Sequence, residues 1–356
     1  MTATTAYDPA DLLARWEALQ QDHPRLRTRD AARQLGVSEA QLIASKIPEG
    51  TVTRLDPDEQ HGWGPLMSSF EKLGRVMALT RNEWAVHETT GTWGPVENFG
   101  HRGMAQVVSP IIDLRIFHGR WASAFAVETP DNPAARFAVQ IFDAHGEAVH
   151  KVIVKNEEEG PDAFEDLVDR FRAADNSARV LVEPKADPAA ATPDEEIDRS
   201  AFREAWSQMT DTHQVHGLLG RFGVGRTQAL RLLEGEFARR VDQIGYRPFL
   251  QSCAGTEIPV MTFVGNPGMI QIYSGPLQKL VDYEGWFNVM DPEFNLHLKE
   301  EGVTESWVAR KPTDFGVVTS LECYDASGET VIQFFYKRKG RVEEPGEWRE
   351  QIGRAS

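Results

Sequence analysis

Cysteine is nearly absent: Cys253 and Cys323 are the only two in 356 residues, and they stand far apart. That excludes a disulfide framework and a thiolate zinc site, and leaves both as small apolar residues for a core. Long apolar runs are missing too, since no stretch approaches the roughly 20 residues that span a bilayer. The opening MTATTAYDPADLL lacks the basic-then-apolar order of a secretory leader. A chain not embedded in a membrane, and located in the cytoplasm, is the expectation. Positive charge is in deficit, with 38 Lys and Arg against 54 Asp and Glu and a net charge of −16. Non-specific nucleic-acid binding needs clustered cations, so no nucleic-acid partner is expected. A GxSxG elbow, a P-loop and a complete GxGxxG after a strand are all lacking; GVGRTQ has too few glycines for the last.

What is present is a duplication. PIIDLRIFHGRW…IFDAHGEAV, from Pro110 to Val149, aligns without gaps on PEFNLHLKEEGV…CYDASGETV, from Pro292 to Val331. Pro110 falls on Pro292, Leu114 on Leu296, Phe125 on Trp307, Pro130 on Pro312, Asp143 on Asp325 and Gly146 on Gly328. Upstream, VMALTRN at Val76 matches VMTFVGN at Val260, and Gly91 matches Gly275. A period this long means two copies of a domain rather than a solenoid. The expected domains are residues 1–183, an acidic Pro/Ala linker over 184–198, and a second copy over 199–356.

Each copy reads as helices followed by short strands. Leu12, Leu13, Trp16 and Leu19 recur at helical spacing, and AFEDLVDRFRAA is an amphipathic helix. FREAWSQMTDTHQVHGLLGRFG and RTQALRLLEGEFARRV also read as helices. RVMAL, EWAVHET, MAQVV, DLRIF, WASAFAV, RFAVQIFD and AVHKVIV are strands separated by Gly, Pro and Asn, with DAHGEAV and DASGETV as hairpin turns. The sum is an α+β class with two antiparallel sheets. Residues 31–46 also have the style of a helix-turn-helix, with SEAQLIASK as recognition helix. A transcriptional regulator with a ligand-sensing β domain is therefore the competing function.

Asp211-Thr212-His213-Gln214-Val215-His216 is the sharpest local feature. Two histidines three apart share a helix face. Neutral imidazoles ligate zinc, iron or haem iron, and no further ligand cluster supplies a zinc site. Read alone, the pair is equally a solvated or capping feature. Nearby stand Arg226 after a Gly-containing turn, and Lys311 before Pro312 at a strand edge, where the first copy has Thr129. Gln333-Phe334-Phe335-Tyr336-Lys337-Arg338 interleaves aromatics and cations. This suits a flat hydrophobe bearing carboxylates, and equally an ordinary edge strand with a protective Lys. Arg120, in HGRW, lies between two strands of the first copy.

VMALTRN, IDLRIFHGRW, FDAHGEAVHK, DTHQVHGLLGRF, RTQALRL, DPEFNLHL, ARKPT and the terminal strand together resemble the HemS-like haemin-degrading factors of bacteria, over nearly the whole chain. The resemblance implies two repeats with large antiparallel sheets and a haem b cleft formed chiefly by the second. It implies His213 as the axial iron ligand, His216 as an alternative ligand and Arg120 on the distal side. Arg226, Lys311 and Arg338 would lie near the propionates, with Gln333, Phe335 and Tyr336 lining the pocket. It further implies a carrier with haem-degrading capacity, in which Arg120 would be the catalytic residue. Its partners would be a haem ABC importer, a downstream haem oxygenase and, for degradation, an electron donor.

Overall fold

The computed structural model describes residues 7–99, 103–186, 191–338, 340 and 342–355. The first half runs α1 (Pro9–Asp22), α2 (Thr28–Leu35), α3 (Glu39–Ala44), β1 (Val52–Leu55), α4 (Gly64–Ser69), β2 (Arg75–Arg81), β3 (Ala85–Thr92), β4 (Val96–Asn98) and β5 (Ala105–Val108). It continues with β6 (Asp113–Ile116), β7 (Trp121–Glu128), β8 (Phe137–Asp143), β9 (Ala148–Val154) and α5 (Gly160–Phe171). The second half runs α6 (Arg199–Ser207), α7 (Gln214–Phe222), α8 (Arg226–Leu233), β10 (Ala238–Val241), α9 (Tyr246–Cys253), β11 (Val260–Asn266) and β12 (Met269–Gly275). It ends with β13 (Leu280–Tyr283), β14 (Trp286–Met290), β15 (Phe294–Lys299), β16 (Glu305–Thr313), β17 (Gly316–Tyr324), β18 (Thr330–Tyr336) and α10 (Gly346–Gly353).

The strand order repeats. β1-β7-β8-β9-β2-β3 in the first half corresponds to β10-β16-β17-β18-β11-β12 in the second, and β4-β5-β6 corresponds to β13-β14-β15. Two large antiparallel sheets with helices over them give the α+β class. Alternation sets the faces: β2 buries Val76, Ala78 and Thr80, and β11 buries Val260, Thr262 and Val264. The hairpin turns match as well. Asp143 accepts from the amides of His145 and Glu147, Asp325 from those of Ser327 and Glu329, and Gly146 and Gly328 take φ 73° and 81°. Those left-handed positions are why glycine stands at both.

Two compact units result. One holds the described residues up to Arg81, Glu88–Ala186 and Asn266–Gln271; the other holds Asn82–His87, 191–265 and the chain from Ile272 on. The division thus falls inside the acid-rich stretch. Its described second part is ordered: Ile197 is buried and Asp198 caps α6. In the first unit, one core lies against α4 and α5 and another against α1–α3. In the second, one core gathers α6–α8 with Trp307 and Tyr324, and the other gathers α9 and α10 with the opposite face of β17 and β18.

Three sequence expectations change. The helix expected over 202–223 breaks at Gln208–His213, so His213 stands at the N-cap position of α7 rather than within it. ARRV is strand β10, not a continuation of α8, because Glu234–Phe237 turns the chain and β10 pairs with β16. The helix-turn-helix reading is overturned: all six residues of α3 are buried, so this helix has no free face for a DNA groove. Glu39 at its start is ion-paired with Arg81 and Lys151. Burial alone would push its carboxyl up; those two cations bring it below the ordinary value.

The duplication also reaches further upstream. Gly36-Val37-Ser38-Glu39-Ala40-Gln41 corresponds to Gly223-Val224-Gly225-Arg226-Thr227-Gln228. Both stretches open with a left-handed glycine that ends a helix and continue into the next helix through a capping glutamine. Glu39 thus stands where the second copy has Arg226.

The copies differ inside their cores too. Val264, Leu277 and Ile332 of the second are fully apolar; the corresponding residues in the first are Thr80, Trp93 and His150. His150 is 1% exposed; its Nδ1 lies 2.8 Å from the Thr80 hydroxyl, and its Nε2 has no partner. Burial pushes this imidazole down to about 3. Above about pH 6.5 the folded and unfolded chains bind the same proton count at this site. Below it the unfolded chain takes up a proton and the folded one does not, so stability falls by up to about 1.4 kcal/mol per pH unit until about pH 3. Urea unfolding at pH 7 and pH 5 checks this: His150→Ile should reduce the acid loss by about 2 kcal/mol. An equal loss in both proteins would contradict it.

Candidate haem site

The candidate residues of the second copy gather around one face of β16-β17-β18 and the start of α7. Register puts Glu322 opposite Trp307 on one side and Gln333 on the other, and alternation carries that face through Ala309 and Lys311, Ser320, and Phe335. Phe335 meets Phe263 edge-on with ring centroids 4.9 Å apart, both half-buried, which gives the face an apolar surface. Tyr336, expected beside them, is one residue out of phase. It turns to the opposite face and packs against Trp348, 5.8 Å between centroids.

Lys311 is not the free cation that a strand edge suggested. It is 6% exposed, its ammonium donates to Ser320 Oγ at 2.9 Å and pairs with Glu322, and it lies 4.8 Å from the centre of the Phe335 ring. Glu322 also accepts from Ser320 Oγ at 2.6 Å, Gln333 Nε2 at 2.8 Å and the Tyr324 hydroxyl. Burial would push the Glu322 carboxyl up, but Lys311 first, then the Ser320 and Tyr324 hydroxyls, bring it down to about 2. Burial first, then the Glu322 charge, pushes the Tyr324 phenol well up, with the Arg226 charge acting the other way. Arg226, the first residue of α8, is exposed.

His213 is the reverse of these buried groups. Its ring is 92% exposed, and its Nδ1 lies 2.6 Å from Asp211 Oδ1, which also accepts the His213 backbone N–H at 2.8 Å. That backbone bond, reinforced by the ring, holds the Asp211 carboxyl below its ordinary value despite some desolvation. An ionised Asp211 fixes the proton on Nδ1 and leaves the Nε2 lone pair facing outward, the arrangement that orients and strengthens a metal-ligating histidine. His216, in the first turn of α7, is exposed as well. Among the described residues no group of three or more His, Cys, Asp or Glu could hold a bare metal ion. A single imidazole suffices where the ligand brings the other donors to its own metal.

Arg338 supplies the test of fit. Its Nη1 is buried without a hydrogen-bond partner, an unmet demand that a carboxylate satisfies. Its charge acts on both Asp211 and Glu344. Glu344, 4% exposed, accepts the Thr319 N–H at 2.7 Å and leaves its second oxygen unpartnered. Burial pushes this carboxyl up, with the Thr319 bonds and Arg338 opposing. Arg120 belongs to the other compact unit, exposed in a single turn just ahead of β7, where its N–H bonds to Phe117 O at 2.9 Å. Sequence reasoning missed Glu322, Glu344 and the role of Asp211. A lone carboxylate in the apolar run VVTSLECY was the available signal for Glu322.

Comparison with known proteins bears on the chain as a whole. The family model described as the haemin-degrading HemS.ChuX domain matches twice, over residues 36–171 and 223–354. Arg120, Arg226, Lys311 and Arg338 lie inside those matches and His213 outside them. The chain is 36% identical to the hemin transport protein HmuS of Yersinia pestis over 97% of both chains. The haem-binding protein PhuS of Pseudomonas aeruginosa in its holo form superposes with a TM-score of 0.92 at 43% identity, over 97% of this chain and 98% of that one. The haem-degrading enzyme ChuS of Escherichia coli O157:H7 gives 0.86 at 32% identity, over 97% and 99%. With the domain matched twice and both halves built on one strand order, the chain belongs to the haemin-degrading HemS/ChuX family.

Proposed function

We propose that this protein binds haem b in the cytoplasm, receiving it after import and passing it on. The observation that carries the reading is His213: an exposed imidazole whose tautomer is fixed by Asp211, the same carboxylate on which the charge of Arg338, with its buried and unpartnered Nη1, acts. His213 Nε2 binds the iron, Phe335 and Phe263 offer the macrocycle an apolar face, and Arg226 and Arg338 take the propionates. Lys311 and Gln333 stay tied to Glu322 and hold that face in place. One exposed ligand suits a carrier, since release then requires breaking a single protein–iron bond, and His216 gives the iron a second imidazole during hand-over. Hemin transport is what HmuS and HemS of the two Yersinia species are named for. A membrane importer upstream and a haem oxygenase downstream are the partners this role calls for.

Degradation is a second reading, because ChuS is described as a haem oxygenase. Bound haem would supply the redox chemistry, an electron donor the reducing equivalents, and Arg120 the cation and hydrogen-bond donor that degradation calls for.

Absorbance titration with hemin tests the assignment. Wild type should give a saturable one-to-one Soret shift, His213→Ala should lose or markedly alter it, and His216→Ala should retain it. No saturable shift in wild type would overturn haem binding. Arg338→Met should weaken hemin by about tenfold, as expected for one charge-assisted bond of roughly 1.5–3 kcal/mol, and leave the dimethyl ester of haem unaffected. Equal weakening of both ligands would remove Arg338 from the propionate site.

A further inference from the structure

Helix α7, whose start carries His213, is held by little buried surface. Leu219 alone of its nine residues is buried; Val215, Leu218 and Phe222 are partly so, and Phe222 meets Phe202 edge-on at 5.2 Å. A Cβ at Gly217 or Gly220 would have nothing within 4 Å. An element with so few apolar contacts has low local stability and depends on how its ends are fastened.

The C-terminal end is fastened by residues 192–194. α7 stops at Gly223, φ 65°, where a Cβ would come within 2.6 Å of Thr192 Oγ1. Thr192 N donates to Gly223 O at 3.3 Å. Gln228, on α8 and 5% exposed, then completes the tie. Its Nε2 donates to Thr192 O at 2.6 Å and to Asp194 Oδ1 at 2.7 Å, and its Oε1 accepts from Gly225 N at 3.2 Å. Beyond the strap, buried Ile197 and the Asp198 cap of α6 prevent it from sliding away. Two donors and one acceptor on a single side chain are what a primary amide offers; a carboxylate would meet Asp194 with like charge. Gln41 makes the same kind of tie in the first copy, accepting from Ser38 N at 3.0 Å and donating to Val180 O at 3.3 Å, on a turn that carries no iron ligand.

We infer that Gln228 is a positioning residue for haem: by binding the 192–194 strap across the α7–α8 turn it fixes the helix that presents His213, and so sets the rate at which haem leaves. The inference rests on the haem reading above.

The test uses full-length protein loaded with hemin, transfer to excess apomyoglobin as the release assay, and four proteins: wild type, Gln228→Leu, Asp194→Ala and Gln41→Leu. Gln228→Leu should release haem about fivefold or more faster, with a shifted Soret maximum that reports altered iron ligation. Asp194→Ala, outside the core, should move the same way by less, and keeps the test open should Gln228→Leu fail to fold. Gln41→Leu, an equivalent lesion in the other copy, should cost stability without changing release. Tryptic cleavage at Arg199 should be slowed by haem in wild type, because coupling between strap and ligand is reciprocal, and this protection should be lost in Gln228→Leu. Release within twofold of wild type in Gln228→Leu and Asp194→Ala, or an equal acceleration by Gln41→Leu, would overturn the inference while leaving haem binding intact. Absence of saturable binding in wild type would overturn both.

Discussion

A single buried carboxylate organises the candidate site. Glu322 sits in the middle of an apolar strand and gathers Lys311, Ser320, Tyr324 and Gln333 around it. An isolated charge there would be costly, and removing one partner of such a pair typically costs about 3–5 kcal/mol. Four partners make it tolerable, and in return they fix the rotamers of most side chains on that face. Phe335, with the Lys311 ammonium over its ring, is held by the same network. The apolar surface offered to a flat ligand is therefore rigid, while the groups assigned to iron and carboxylates, His213, Arg226 and Arg338, lie outside the network and remain available.

Duplication makes the division of labour between the copies visible. The position of Glu322 is Gln140 in the first copy, that of Lys311 is Thr129, and that of Arg226 is Glu39. The first copy thus places an acid, already bound by Arg81 and Lys151, where the second places an exposed arginine. The exposed arginine can attract an anionic ligand, whereas the buried Glu39 carboxylate is already taken up by two cations. The cores differ as well: Thr80, Trp93 and His150 replace Val264, Leu277 and Ile332, while the second copy buries Lys311, Ser320 and Glu322. One strand order supports both because alternation, turn geometry and the Asp-and-Gly hairpins are kept.

The fold was largely legible in the sequence. Residues such as Pro110 and Pro292 or Gly146 and Gly328 are set by backbone conformation, which a single chain displays whenever it repeats itself. β2, β3, β11 and β15 alternate because only one of their faces is buried, whereas β8, β9 and β17 are buried on both. What was hidden depended on partners distant in sequence. α3 looks like a recognition helix until all six of its residues are seen to be buried and Glu39 paired with Arg81 and Lys151. Lys311 looks free until the pairing of β16 with β17 brings Glu322 onto the same face within reach of its ammonium. The break at Gln208–His213 left no strong composition signal, since the flanking residues favour helix on both sides. The strap over 192–194 reads as linker by composition, because Pro, Ala and acids give no hint that Gln228 binds its backbone.

Everything said of function turns on which atom holds the iron. Crystals of the haem-loaded protein, with the iron located by anomalous scattering, decide it directly. The account predicts iron at His213 Nε2, Asp211 still bound to Nδ1, and a propionate on the Arg338 guanidinium. Iron held away from α7, or propionates in solvent with the Arg338 nitrogen still unpartnered, would contradict it.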